Sequence, residues 1–329
     1  MNPVSFPSAL ERIDTPVASA VRDGLCCEPK RLPPWLFYDS DGSRLFDEIT
    51  RLPEYYLTRT ERGIFAAQGQ AIIQQAAGNH GATRLRITEL GAGSADKTRL
   101  LLKAAVARQG AVVYEPVDVS ATALEVARER IEQEIPGVAV APRVLDYMQG
   151  LDLEPTADGE RRLLLYIGSS IGNFEPHEAA QLLETVRQGL APGDALLLGV
   201  DLHKDEPTLV AAYDDAAGVT ARFNLNVLAR LNRELGADFD LEAFAHRAVW
   251  NEGHSRMEMH LESVREQRVR LDVLEHEASF AAGERIHTEN SYKYAPGQAE
   301  AMLRTAGFDP ESTWTDERGW FAVCLGRAS

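Results

Sequence analysis

The sequence predicts an α/β protein in which a doubly wound, Rossmann-like core sheet is joined to a second, smaller α+β domain. Between residues 84 and 201, short apolar runs alternate with segments whose apolar residues recur at helical spacing, the pattern of a parallel sheet wrapped by helices. After residue 203 the pattern changes to long helical runs, and around 246–272 to alternating polar and apolar residues, which predict antiparallel strands outside that sheet.

The first strand is RLRITEL (84–90), followed by a helix over DKTRLLLKAAVAR (96–108) and a second strand, AVVYEPVDV (111–119). Ser120 is suited to cap the next helix, SATALEVARERIEQEI, which stops at Pro136 and Gly137. VAVAPRVLDY (138–147) predicts strand three, RRLLLYIGSSIG (161–172) strand four and DALLLGVDL (194–202) strand five, with a helix starting near Pro176. LVAAYDDAAGVTARFNLNVLARLNREL supplies the long helices of the insertion, and PGQAEAMLRTAGFDPESTWTDERGWFAVCLGRA returns to one helix and two strands that close the edge of the first sheet.

The first sixty residues hold Trp35, Phe37, Tyr38, Phe46, Tyr55 and Tyr56, too aromatic for a disordered leader, and are expected to fold onto the inserted subdomain. The expected domains are therefore 61–202 with 293–329, and 1–60 with 203–292.

Composition narrows the function. The 329 residues are 44% hydrophobic and carry a net charge of −16, which repels phosphate backbones and anionic membrane surfaces and leaves a small molecule as the expected partner. No apolar run approaches the ~18 residues of a membrane span, and the N-terminal MNPVSFPSALERID lacks a basic region followed by an apolar one, so no secretion signal is expected. Cys26, Cys27 and Cys324 match neither a disulfide framework nor a zinc site. A cytoplasmic monomer is the expectation. His254 and His260 flank an alternating segment, but no HxH or HExxH pair occurs, so surface or half-buried strand histidines, and no metal, are expected.

Doubly wound sheets bind ligands at the carboxyl ends of their strands. There, Glu89-Leu90-Gly91-Ala92-Gly93 joins the first strand to its helix, and the two glycines let the backbone turn and approach a ligand closely. A nicotinamide enzyme would want a third glycine at 96, but Asp96 stands there and repels a pyrophosphate. S-adenosylmethionine, which lacks that group, fits better. Strand two ends at Asp118, placed to accept from both ribose hydroxyls, and strand three ends at Asp146-Tyr147, a carboxylate for the adenine amine beside a ring for the base. A helix cap or solvated loop charge explains either aspartate alone equally well; the three strand ends together are much more specific. Lys97, on the first turn of the following helix, is close enough to meet the methionine carboxylate.

The motifs LPPWLFYDSDGSRLFDEITRLPEYYLTRTE, ELGAGSADKTRLLL, PVDVS, IGSSIGNF and AAYDDAAGVTARFNLNVLARLNRELGADF span nearly the whole chain. In these the protein resembles the L-histidine Nα-methyltransferases of the ergothioneine pathway. The resemblance implies an S-adenosylmethionine-dependent methyltransferase core joined to a substrate-binding domain, and trimethylation of the histidine α-nitrogen to hercynine. Carried onto this sequence, it makes Gly91, Gly93, Lys97, Asp118, Asp146 and Tyr147 cofactor contacts. Gly168, Asn173 and Tyr213 match positions around the substrate carboxylate and amine, and Tyr38 and Tyr55 match an aromatic wall, with Tyr56 adjacent to Tyr55. These tyrosines and Asn173 are the expected catalytic groups.

Glu289 and Ser291, with Met259 nearby, match the residues that recognise the imidazole. A carboxylate and a hydroxyl satisfy both ring nitrogens, whereas an indole leaves one polar group unpaired at about 1–3 kcal/mol. Histidine is therefore favoured over tryptophan. Without the resemblance, Glu289 reads as a solvated loop charge. Asn290 and Tyr292 depart from the family pattern, as does His203, and Tyr292 either narrows the pocket or points away. The alternatives are a family methyltransferase acting on another amino acid, such as tryptophan, and a non-catalytic cofactor-binding regulator.

Overall fold

In the computed structural model, which describes residues 15–78, 83–93, 95–119, 121–145, 147 and 150–329, the chain begins with two helices, α1 (Pro16–Cys26) and α2 (Ser40–Ile49), and a longer one, α3 (Tyr56–Ala77). A β/α series follows: β1 (Arg84–Leu90), α4 (Thr98–Gln109), β2 (Val112–Asp118), α5 (Ala121–Glu134), β3 (Val138–Val140), β4 (Arg143–Val144), β5 (Glu160–Tyr166), α6 (Pro176–Gln188) and β6 (Ala195–Asp201). Next come α7 (Glu206–Tyr213) and α8 (Val219–Leu235), then β7 (Phe244–Asn251), β8 (Arg256–Ser263), β9 (Gln267–Leu271), β10 (His276–Phe280) and β11 (Arg285–Tyr292). The chain ends with α9 (Gln298–Thr305), β12 (Phe308–Thr315) and β13 (Phe321–Ala328). The described residues fall into two compact units, one within Met1–Tyr56 and Asp205–Ser291, the other within Leu57–Lys204 and Tyr292–Ser329.

The second of these holds the large sheet, in the order β12, β13, β6, β5, β1, β2, β3. The strands from β6 to β3 are parallel, and β13 runs antiparallel to β6 and to β12, so the terminal strands close the sheet edge as expected. The chain moves outward from β1 to β3 and then returns to the other side of β1 as β5. That reversal opens a crevice at the carboxyl ends of β1 and β5. Burial follows from composition: β6, ALLLGVD, is buried along its whole length, as a strand with helices on both faces must be.

Strand three differs from the expectation. It is two short pieces, β3 and β4, both parallel to β2 and separated by Ala141 and Pro142. Pro142 has no N–H for the ladder, so the pairing lapses there and resumes at Arg143. Ser120, expected as a cap, and Asp146, expected at the adenine, lie outside the described residues, as do residues 1–14.

The other unit packs α2, α7 and α8 with a three-stranded sheet, β11-β8-β7, and a hairpin of β9 and β10. The long helical run predicted after residue 203 is broken between α7 and α8. Asp205 caps α7 by accepting from Thr208 N–H at 3.0 Å. Asp215 starts α8 by accepting from Val219 and Thr220 N–H at 2.9 and 2.7 Å, satisfying amide groups that every helix start leaves open. Aromatic residues from the N-terminal segment pack here: Phe37 stacks on Phe223 of α8 at 4.5 Å.

Candidate active site

At the end of β1, Gly91 and Gly93 have φ of +65° and +49°, conformations that side chains with a Cβ resist. A Cβ on Gly93 would meet nothing within 4 Å, so the turn presents bare backbone to open space. Asp118, at the end of β2, accepts from Gly93 N–H at 3.3 Å, which joins two of the predicted strand ends. Tyr147 lies on the same side, with its hydroxyl 3.7 Å from where a Gly91 Cβ would stand and its ring 6.0 Å from that of Tyr166. A bare glycine turn, a carboxylate one strand along and an adjacent aromatic ring fit an adenosine that offers a ribose diol and a flat base.

Just before the glycines, Glu89 is buried and accepts from the Tyr114 hydroxyl at 2.5 Å and the Thr98 hydroxyl at 2.8 Å. Burial raises its pKa to about 7, against the pull of these hydrogen bonds and of Lys97.

Lys97 is not simply exposed on its helix. Its Nζ pairs with Glu61 of α3, a residue that nothing in the sequence singles out. Glu61 is fully buried and also accepts from Gly168 N–H, at 2.9 and 3.0 Å to its two oxygens. It fits only because residue 199 is glycine, where a Cβ would lie 2.2 Å from Glu61 Oε1. The carboxylate thus ties the Gly168 turn after β5 to the helix following the glycine loop. Asn173 ends a 3-10 turn, Ser170–Asn173, after the same strand and is half-buried. Tyr292 donates to Glu175 at 2.6 Å and packs in the same hydrophobic core as Ile171, which answers where its side chain goes.

In the other unit the predicted tyrosines lie along one chain of rings. Tyr38, 43% exposed, is 5.7 Å from Phe46 and 5.9 Å from Phe223. Phe46 is 6.2 Å from Tyr55, which is 6.4 Å from Tyr213. Tyr55 therefore belongs to this chain, whereas its neighbour Tyr56 is fully buried at the start of α3. The Tyr213 hydroxyl is 2.7 Å from Ser291 Oγ. Glu289 and Ser291 are two residues apart on β11 and so point to the same face of the strand. Met259, on β8, is buried. Phe46 and Phe223 were missed as site residues because an aromatic residue in sequence is indistinguishable from ordinary core.

His254 lies against Asn251, and His260 Nε2 donates to the Glu258 carboxylate at 3.1 Å. Among the described residues, no group of three or more His, Cys, Asp or Glu is placed to hold a metal ion, and no helix is long and apolar enough to cross a membrane.

A β-strand order that reverses beside a bare glycine turn and an acidic residue defines the nucleoside-binding class of Rossmann-like proteins. Comparison with known proteins is more specific. Residues 17–328 match the family model described as "Histidine-specific methyltransferase, SAM-dependent", and the chain belongs to that family. It is 47% identical over 305 residues to the histidine N-alpha-methyltransferase of Mycolicibacterium smegmatis, covering 93% of this chain and 92% of that one. It is 44% identical, with the same coverage, to the Mycobacterium tuberculosis protein of that name. Ergothioneine biosynthesis protein 1 of Neurospora crassa is 31% identical over 92% of this chain, which matches 34% of that longer protein.

Proposed function

We propose that the protein transfers methyl groups from S-adenosylmethionine to the α-nitrogen of L-histidine, three times in succession, to give hercynine, a step of ergothioneine biosynthesis. The observation that carries the substrate assignment is the pairing of Tyr213 with Ser291 beside Glu289. It offers a hydroxyl and a carboxylate, which together match the one donor and one acceptor of a neutral imidazole. The names of its relatives support the same substrate and pathway.

S-adenosylmethionine supplies an electrophilic methyl on a sulfonium, a good leaving group without further activation. Gly91, Gly93, Asp118 and Tyr147 would hold its adenosine, Asp146 the adenine amine and Lys97 its carboxylate. Gly168, Asn173 and Tyr213 orient the amino acid's carboxylate and amine, while Tyr38 and Tyr55 wall the nitrogen. The nucleophile must be the neutral amine, so the site has to favour loss of a proton from the α-ammonium by desolvation or by passing it to water. Tyrosine hydroxyls orient without acting as strong bases, and catalysis then rests mostly on positioning. Tyrosine faces also attract the final quaternary ammonium.

Tyr38, Tyr55, Tyr213, Met259, Glu289 and Ser291 all fall in one unit, which supports assigning residues 1–60 and 203–292 as the substrate domain and 61–202 with 293–329 as the cofactor domain. Three cysteines outside any disulfide support a cytoplasmic setting, and a net charge of −16 supports small-molecule partners and no nucleic acid; the reading takes the protein as a monomer.

Calorimetric titration with L-histidine, Nα,Nα-dimethylhistidine and L-tryptophan, followed by mass spectrometry after adding S-adenosylmethionine, tests the assignment. Histidine should bind and gain three methyl groups. Tryptophan gaining mass while histidine does not would transfer the assignment to another amino acid.

A further inference from the structure

We propose that His246 and Asn224, which the reaction itself does not use, are positioning residues for substrate recognition. They hold the end of α7 that carries Tyr213 and the strand that carries Glu289 and Ser291 in one fixed register. The role presupposes that these three residues receive the substrate, as proposed above.

His246 is buried on β7. Its Nε2 lies 2.8 Å from the backbone carbonyl oxygen of Tyr213, and its Nδ1 lies 2.9 Å from Asn224 Nδ2. A carbonyl oxygen only accepts, so Nε2 must carry the hydrogen. Asn224, fully buried on α8, also sets Nδ2 3.0 Å from the carbonyl oxygen of His260. That second carbonyl fixes which end of the amide is nitrogen. The amide therefore donates to Nδ1, which must hold a lone pair, and the imidazole is neutral. Backbone carbonyls at both ends of the network leave one amide orientation and one ring tautomer.

On its other side, Asn224 Oδ1 accepts from the Thr288 hydroxyl at 2.8 Å, one residue before Glu289. The Thr288 hydroxyl is also 3.0 Å from the carbonyl oxygen of Met259. The contacts close on themselves: from the Tyr213 backbone through His246 and Asn224 to Thr288, along β11 to Ser291, and from Ser291 Oγ back to the Tyr213 hydroxyl at 2.7 Å. A closed ring of hydrogen bonds among buried groups resists small displacements, because opening any one leaves a desolvated donor or acceptor unpaired. The aim of the Ser291 and Glu289 side chains is thus coupled to the backbone at Tyr213. Asp214 and Asp215, which follow Tyr213, and Arg247, next to His246, are the charged groups acting on the ring, and burial lowers its affinity for a second proton.

The test uses the full chain with Asn224→Asp, Thr288→Val or Glu289→Ala, each titrated with L-histidine and, separately, with S-adenosylhomocysteine. Asn224→Asp sets a carboxylate against Nδ1, so His246 should take up a second proton, visible in its ring ¹⁵N signals. L-histidine affinity at neutral pH should fall by about tenfold, the equivalent of one lost buried hydrogen bond, with S-adenosylhomocysteine affinity unchanged. Thr288→Val keeps the side-chain shape and removes only the hydroxyl; it should weaken histidine binding in the same selective way, and it decides the matter where Asn224→Asp does not fold. If the folded variants at 224 and 288 bind histidine like the parent, or lose both ligands equally, the two residues are scaffold and the proposal fails. If Glu289→Ala also binds histidine like the parent, it is the substrate assignment that fails.

Discussion

The pair of Lys97 and Glu61 allows a sharp separation of structural from ligand-binding roles. Glu61 is 0% and Lys97 18% exposed, so their attraction acts in a poorly hydrated setting. Glu61→Gln keeps an oxygen that can accept from Gly168 N–H but turns an NH₂ toward the ammonium. Lys97→Met leaves the buried carboxylate with the neutral Gly168 N–H as a donor. Breaking one partner of a buried pair costs about 3–5 kcal/mol, and partial exposure of Lys97 places the expectation near the lower end. The double variant removes both charges and should recover most of the loss, so a double-mutant cycle in urea unfolding should give a coupling of about 3 kcal/mol. A coupling below about 1 kcal/mol, the level of a surface pair, would refute the claim that this carboxylate anchors the Gly168 turn to α4. S-adenosylhomocysteine titration of the same samples reports the second role: if Lys97 also meets the cofactor carboxylate, Lys97→Met weakens binding while Glu61→Gln, retaining the lysine, does not.

Three other expectations follow from the geometry. Glu289→Ala should weaken L-histidine binding by about 1–3 kcal/mol, as for a buried partner left unpaired, with cofactor affinity intact; parallel calorimetric titrations check it, and equal loss of both ligands would count against imidazole recognition. Tyr213→Phe deletes the 2.7 Å contact to Ser291 and should raise KM for histidine more than it lowers kcat, whereas complete loss of turnover with binding preserved would contradict catalysis by positioning. Glu89 has its pKa raised to about 7 from 4.5, so the folded state holds its proton longer than the unfolded chain; its contribution to stability is fully present below pH 4.5 and is lost as pH rises through about 7. Relative to Glu89→Gln, the wild-type protein should therefore lose about 2–3 kcal/mol between those limits, measured as urea midpoints across pH, and parallel curves for the two proteins would show that Glu89 stays ionised.

How much was legible in the sequence depended on whether the signal was local. Gly91, Gly93 and Asp118 were identifiable because a parallel strand ends where its apolar run ends, and the next residues must occupy the sheet's carboxyl edge. The break in strand three was also written locally, in Pro142, although an otherwise apolar run concealed it. The N-cap at Asp205, which starts α7, and the αL glycine at 218, which precedes α8 where the helical run is broken, belong to the same category.

Contacts between distant positions were not legible. Glu61 lies 107 residues from Gly168, and nothing around it in RTERG distinguishes a fully buried carboxylate from a solvated one. His246 looked like any half-buried strand histidine until Asn224, 22 residues earlier, and the Tyr213 carbonyl closed around it. Phe46 and Phe223 became members of the tyrosine chain only when α2 and α8 packed together. By itself, then, the sequence determined the fold class, the cofactor strand ends and, through long family motifs, the histidine-specific methyltransferase assignment, since periodicity and turn chemistry are properties of neighbouring residues. Only the tertiary structure decided which polar groups are buried and with whom they pair, because a side chain's partners are set by packing between segments far apart in the chain.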